Sequence, residues 1–301
     1  MPVVTLPQLL DAAREGGYAV GYFEAWDSYS LEAVVEAAEA ERSPVVIGFG
    51  CAMVDGAWLD AGGIELLAGM ATHAAGTTTV PVSVLFNETH NLEQAKRGVE
   101  AGFSAAMVDT CDVTEGEARE VVAELARWAH QRGAAVEGEL GHLPNFTGTE
   151  VDTAGSHLTE PDEAAEFVRA TGVDCLAVSV GNVHLLEGRE APLQLDRIGA
   201  VGQAAGVPLV LHGGTGLPAG AIPAVIAGGV AKINVGTGLK RAFLEAMREA
   251  LAQDASPHDL LGSHKAVDAA VVGKAKMRDE VRRLMHLYGS AGRAGSYPSA
   301  S

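Results

Sequence analysis

The stretch Asn87-Glu88-Thr89-His90 closes an apolar run, VPVSVLF (80–86), with side chains that can bind a metal or move a proton. Similar groups recur at or near the ends of other apolar runs. Asp109 ends AAMVD (105–109), Glu137 and Glu139 lie in AAVEGEL (134–140), His184 follows CLAVSVG (175–181), and His212 lies in PLVLHGG (208–214). Imidazole nitrogens and carboxylate oxygens suit zinc, manganese, cobalt or ferrous iron. A single histidine is ordinarily a hydrogen-bonded surface or core residue, so the convergence of several on run ends carries the metal expectation. A second constellation lies in HGGTGLPAGAIPAVIAGGVAKINVGTGLKRAF (212–243). Gly213, Gly214 and Gly216 allow backbone amides to approach a ligand, and Thr215 adds a hydroxyl. Asn234, Gly236 and Thr237 stand at the next run end, where a helix would present its N-terminus to a phosphate.

These residues need a scaffold that brings run ends together. Eight short apolar runs alternate with helical patterns: 18–23, 44–50, 80–86, 105–109, 134–140, 175–181, 208–214 and 231–236. Most do not alternate and are rich in β-branched residues, as strands buried on both faces should be. Between them, SLEAVVEAAEAER opens on Ser30 as an N-cap, and two helical patterns stop at Gly102 and Gly133. TEPDEAAEFVRATG places Thr159 and Pro161 at a helix start. Eight β-then-α units predict an α/β fold, a closed (β/α)8 TIM barrel, with an open doubly wound sheet as the alternative. Residues 253–288 read as extra C-terminal helices, so 1–288 is expected to form one domain and 289–301 a flexible tail.

Composition narrows the partners. The chain has 301 residues, of which 48% are hydrophobic and 20% charged, enough for one large core. Its formal net charge of −18 argues against nucleic acid, which needs a basic face. No apolar run approaches a membrane span and no signal peptide is evident. Cys51, Cys111 and Cys175 read as buried reduced thiols, and the protein is expected to be cytoplasmic.

The motifs together resemble the class II, metal-dependent fructose-bisphosphate and tagatose-bisphosphate aldolase family, nearly end to end. The likeness is carried by GYAVGYFE, VEGELG (136–141), AVSVGNVH (177–184), LVLHGGTGLP (209–218), KINVGTGLK (232–240) and GRA (292–294). It implies a carbon–carbon lyase of carbohydrate metabolism, acting through a metal-stabilised enediolate on a ketone phosphate. It implies zinc, with manganese, cobalt or ferrous iron as alternatives, and a homodimer or homotetramer. His184 and His212 match two metal ligands, and Glu139 matches a glutamate tied to an alternative metal position. Gly181, Gly213, Thr215, Asn234 and Thr237 match positions around the phosphate and donor, and Asp109 matches an aspartate.

Several positions depart from the family pattern. The family's Asp-His pair falls on Asn87 and Glu88. Asn cannot exchange a proton near neutral pH, whereas Glu88 still offers a metal ligand. Glu88 is preferred as the third ligand, with His90 the alternative because it lies two residues on in an extended strand. The glycine expected after His184 is Leu185, with Arg189 a source of positive charge nearby. The loop HLPNFTGTEVD has Phe146 and Thr147 where the family carries a proton-abstracting glutamate, so Glu150 is the substitute. Glu24 replaces the family's asparagine. The expected function is therefore a metal-dependent aldolase on a phosphorylated or acidic carbohydrate-like substrate, outside ordinary glycolysis. Asn87, Glu150, Glu24 and Asp109 are the catalytic candidates. A metal-dependent isomerase or epimerase and a non-catalytic aldolase-like subunit are the alternatives.

Overall fold

A computed structural model describes residues 3–146, 150–152, 156–186 and 188–297. In chain order the main elements are α1 (Leu6–Gly16), β1 (Val20–Ala25), α2 (Ser28–Glu41), β2 (Val45–Gly50), α3 (Ile64–Thr77), β3 (Val82–Thr89), α4 (Leu92–Ala101), β4 (Ala105–Val108), α5 (Glu115–His130) and β5 (Ala135–Leu140). They continue with α6 (Pro161–Thr171), β6 (Cys175–Val178), α7 (Leu195–Ala205), β7 (Leu209–Leu211), α8 (Ile222–Ala227), β8 (Val230–Val235), α9 (Thr237–Leu251) and α10 (Ala269–Leu287). The eight strands are parallel and close into a barrel in sequence order, with β1 paired to both β2 and β8. Closure settles the choice between a (β/α)8 barrel and an open sheet.

The strands form where β-branched runs have both faces to bury. One apolar layer lies between barrel and helices, including Phe23, Ile47, Val84, Val136, Ile233 and Leu239. A second holds Val20, Tyr22, Val46, Leu85, Cys175 and Val210 together with Leu6, Leu9 and Leu10 of α1. Helix α1 therefore covers one end of the barrel with its apolar face. Its Thr5 caps the Gln8 amide while the Gln8 side chain caps Thr5 in return.

Other boundaries differ from the sequence expectation. Helix α2 starts earlier, with Asp27 as its N-cap and Ser30 as the reciprocal partner three residues on. Thr159 does not cap α6: its hydroxyl donates to the Leu140 carbonyl and accepts from the Ser179 amide, tying β5 to β6. Helix α10 packs beside α2 and α9. Of the stretch from 289 onward, Ser290, Ala294 and Tyr297 are buried, and the Tyr297 hydroxyl lies 2.7 Å from that of Tyr18. Among the described residues no helix is long and apolar enough to cross a membrane. Cys51 and Cys175 are buried free thiols, but Cys111 is exposed, contrary to expectation, because it follows β4 into the wall of the large cavity.

Candidate metal centre and substrate cavity

The C-terminal strand ends open into a cavity of about 1050 Å³. Its lining includes the candidates Glu24, Asn87, Glu88, Asp109, Glu139, His184, His212, Gly213, Gly214, Thr215, Asn234, Gly236 and Thr237. Glu88, His184 and His212 offer ligand atoms that all lie within 4.8 Å of one another.

Local backbone geometry explains why Glu88 joins this group. Glu88 has φ 53°, a left-handed conformation uncommon outside glycine, and the β3–β4 register shifts between Phe86 and Thr89. Such irregularities re-aim side chains near functional sites. The same turn defeats the expectation for His90. Residues 88 and 90 no longer share a face, and the His90 Nε2 instead lies 2.7 Å from the Val54 carbonyl.

His212 is the hub of a buried polar chain. Its Nδ1 lies 3.1 Å from Glu88 Oε1 and its Nε2 lies 3.0 Å from Glu137 Oε1. Glu137 Oε2 accepts from Lys232 Nζ at 2.6 Å, and Lys232 also donates to Asn234 Oδ1 at 2.7 Å. Burial opposes a charge on His212, but hydrogen bonds to Glu137 and Glu88 outweigh it and raise its pKa to about 10. Burial likewise opposes the Glu137 carboxylate, yet Lys232 and His212 hold it down at about 2. Desolvation, followed by the positive neighbour His212, lowers His184 to about 4, leaving a neutral ring suited to ligation. Desolvation lifts Glu139 to about 7, with further repulsion from Glu88, Asp109 and Glu137.

Four buried polar atoms from the cavity wall have no hydrogen-bond partner: Tyr22 Oη, Asn87 Oδ1, Glu139 Oε1 and Asn234 Nδ2. Buried groups of this kind are ordinarily satisfied, so their concentration here is the mark of a ligand site. Two imidazoles and a carboxylate on one point, in a field that favours a cation at His212, fit a divalent metal.

The other candidates divide. Asp109 Oδ1 accepts from the Cys111 amide at 2.9 Å, which fixes it in the wall. Glu24 accepts from Lys240 Nζ at 2.7 Å, and its carboxylate lies over Gly236, where any Cβ would collide with it. The protein thus places an anion of its own at the α9 N-terminus. Gly213 has φ 70°, and a Cβ there would meet the Val183 carbonyl at 2.3 Å, so chain packing as well as ligand access requires glycine. The Thr215 hydroxyl accepts from the Gly238 amide at 2.9 Å. Among the described residues of the cavity wall, Gly181, Glu150 and Arg189 are absent. Glu150 is exposed beside the short hairpin Asn145–Phe146/Val151–Asp152, and the Arg189 guanidinium lies 5.7 Å from the Phe146 ring centre. Thr147 lies outside the described residues. Leu185 keeps a left-handed backbone, φ 58°, and stands half-exposed in the wall.

Tyr22, Lys232 and Lys240 escaped the sequence reading. Tyr22 and Lys232 each lie two residues before a candidate, Glu24 and Asn234, on the same face of a strand. That alternation was the available signal.

The family pattern "Fructose-bisphosphate aldolase class-II" matches residues 4–293. The chain belongs to the class II fructose-bisphosphate aldolase family. As in other class II aldolases, the chemistry is that of a lyase, and the family employs a divalent metal. Among class II relatives, the fructose-bisphosphate aldolase of Geobacillus stearothermophilus is 34% identical over 302 residues, covering 98% of this chain and 99% of that protein. The sulfofructosephosphate aldolase of Alkalicoccus urumqiensis is 31% identical over 301 residues, covering 99% and 100%. The crystal structure of the YdjI aldolase from Escherichia coli K12 superposes with a TM-score of 0.81 at 29% identity, covering 98% of this chain and 100% of that one. Relatives of this class II aldolase therefore bear names with different substrates, and the family alone leaves the specific reaction open.

Proposed function

We propose that this class II aldolase is a divalent-metal-dependent enzyme that makes or breaks a carbon–carbon bond in a phosphorylated or similarly acidic sugar-like substrate, by a reaction other than that of ordinary glycolysis. The observation that carries the reading is the convergence of Glu88, His184 and His212 at the cavity. Zinc, or manganese, cobalt or ferrous iron in its place, would supply Lewis acidity toward a ketone and its neighbouring hydroxyl. In this reading Asn234 Nδ2, the Gly213–Thr215 turn and Thr237 anchor the donor phosphate, with Gly181 shaping the adjoining turn and Arg189 adding charge. Glu24 and Lys240 flank the other side of Gly236. Asn87 orients the acceptor oxygen by hydrogen bonding without exchanging its proton. Proton transfer there falls to Glu24 of the cavity wall or to water, since Glu150 stands outside that wall. Glu139, balanced near neutral pH, accepts or returns a proton on the metal side or offers an alternative ligand, with Asp109 beside it.

Asn87 favours one second reading. Loss of an acceptor-side acid harms bond cleavage more than enolisation, so an isomerase or epimerase would tolerate it better. Products separate the two, since cleavage gives two fragments and isomerisation one.

The primary test is proton exchange at C3 of dihydroxyacetone phosphate in heavy water, followed by NMR with added zinc. Stereospecific exchange that a chelator abolishes is expected. A zinc-loaded protein without exchange would sink the proposed donor. Glu88→Ala and His212→Ala should each weaken zinc binding at least about 100-fold, and unchanged zinc content would remove those residues from the ligand set.

A further inference from the structure

Contact with substrate does not account for Glu137, in the polar chain beneath Glu88, His184 and His212. Glu137 has no exposed surface and is not part of the described cavity wall. Its oxygens are committed to different partners, Oε1 to His212 Nε2 at 3.0 Å and Oε2 to Lys232 Nζ at 2.6 Å, with the Cys175 thiol a weaker donor to Oε2 at 3.7 Å. Lys232 is equally buried, donates its second bond to Asn234, and holds its ammonium 5.0 Å from the Tyr22 ring centre. A buried ion pair of this kind is often no more stabilising than apolar residues of the same volume. Stability alone therefore does not explain its presence here.

The geometry supplies a role. With Nε2 turned to Glu137, Nδ1 is the nitrogen facing Glu88 at 3.1 Å, and therefore the one facing the cluster. We propose that Glu137, pinned by Lys232, is a positioning residue that fixes the ring and tautomer of His212, so that Nε2–H is donated to Glu137 and the Nδ1 lone pair is presented to a divalent metal. The inference rests on reading Glu88, His184 and His212 as ligands, and it assigns a role to two residues that are not ligands. Partners of this kind commonly set metal affinity within a factor of about 10–100.

Glu137→Gln tests it through a conflict of donors. Lys232 can only donate, so it claims the amide oxygen and leaves the –NH2 group against His212 Nε2. That nitrogen must then accept, which forces the ring hydrogen onto Nδ1, on the metal side. Zinc affinity, measured by competition with a chromophoric chelator, should fall about 10–100-fold. In Glu137→Gln/Lys232→Met the strong donor is gone and the Cys175 sulfur can accept weakly from the –NH2 group, so the amide can turn its oxygen toward His212 and most of the affinity should return. Histidine 15N NMR of the unmodified zinc-loaded protein gives a readout that needs no variant: Nε2 protonated and Nδ1 metal-bound at His212.

The opposite NMR pattern overturns the proposal even if the variants do not fold. So does zinc affinity in Glu137→Gln within about 3-fold of the unmodified protein, or a double variant weaker than the single one. An unmodified protein that binds none of zinc, manganese, cobalt and ferrous iron overturns the metal reading itself, and this inference with it.

Discussion

Asn87 is almost fully buried, and its Oδ1 has no partner in the cavity wall. A carboxylic acid there would add the proton-transfer group that the amide lacks. General acid–base groups contribute about 10²–10⁴-fold. Asn87→Asp is accordingly expected to raise the rate of ketose-bisphosphate cleavage by about 100-fold in the zinc-loaded protein, measured by release of triose phosphate. An unchanged rate would place proton transfer on another group. Leu185 carries a different penalty. A left-handed backbone costs a leucine roughly 1–2 kcal/mol, whereas glycine would lose roughly 0.5–1 kcal/mol more entropy on folding. The first term is larger, so Leu185→Gly should stabilise the protein by roughly 0.5 kcal/mol, read from the urea midpoint. A lower midpoint would mean that the half-exposed side chain makes contacts worth more than the strain. These residues also show what was legible. His184 and His212 announced themselves by type and by their place near run ends. The choice between Glu88 and His90 depended on a single φ of 53°, which the alternation of an extended strand cannot foresee. Lys232 was hidden because a lysine within an apolar run gives no hint of a partner far away in sequence.

At the scale of elements, the strand positions were readable because parallel barrel strands are apolar on both faces. Their lengths were less so. The sixth and seventh runs end as strands at Val178 and Leu211, short of the expected 181 and 214, where side chains take over the backbone bonding. Asn182, for example, accepts from the Val180 amide and donates to the carbonyls of Val178 and His212. Helix packing was legible only in part, since periodicity marks an apolar face without naming what covers it. Glu41, at the end of α2, accepts from Arg282 Nε at 2.6 Å and lies 2.7 Å from His286 Nε2, both on α10. The Arg282 hydrogen bond, with the nearby His286 charge, holds its pKa below the ordinary 4.5 despite partial burial. A carboxylate lowered in this way stabilises the fold above its ordinary pKa, and that contribution disappears as pH falls through the folded value. Glu41→Gln should therefore cost about 0.5–1 kcal/mol at pH 7. The gap between the two urea curves should narrow as pH falls below the ordinary carboxylate range and close beneath the lowered Glu41 value. A gap that persists in acid would assign the effect to packing.

For the molecule as a whole, metal binding and folding should be linked, because the three proposed ligands come from the end of β3 and from the segments after β6 and β7, and meet only in the closed barrel. Zinc at a hundredfold excess over its dissociation constant should add about 2.7 kcal/mol to stability. For a chain of this size that is a rise of about 5 °C in Tm, reversed by a chelator. Identical melting with and without zinc would count against a site assembled by folding. The same arrangement constrains the chain as it is made. Glu88 and His212 are 124 residues apart in sequence. During synthesis β1 emerges early, yet its second neighbour, β8, is among the last barrel strands to leave the ribosome. Until then an apolar strand edge stands open to wrong partners. The nascent chain also lacks the full set of donors until translation has passed residue 212. With these three ligands, capture of a divalent ion would wait until His212 has been made and the barrel can close, and a product terminated before residue 212 would not compete for metal at this site.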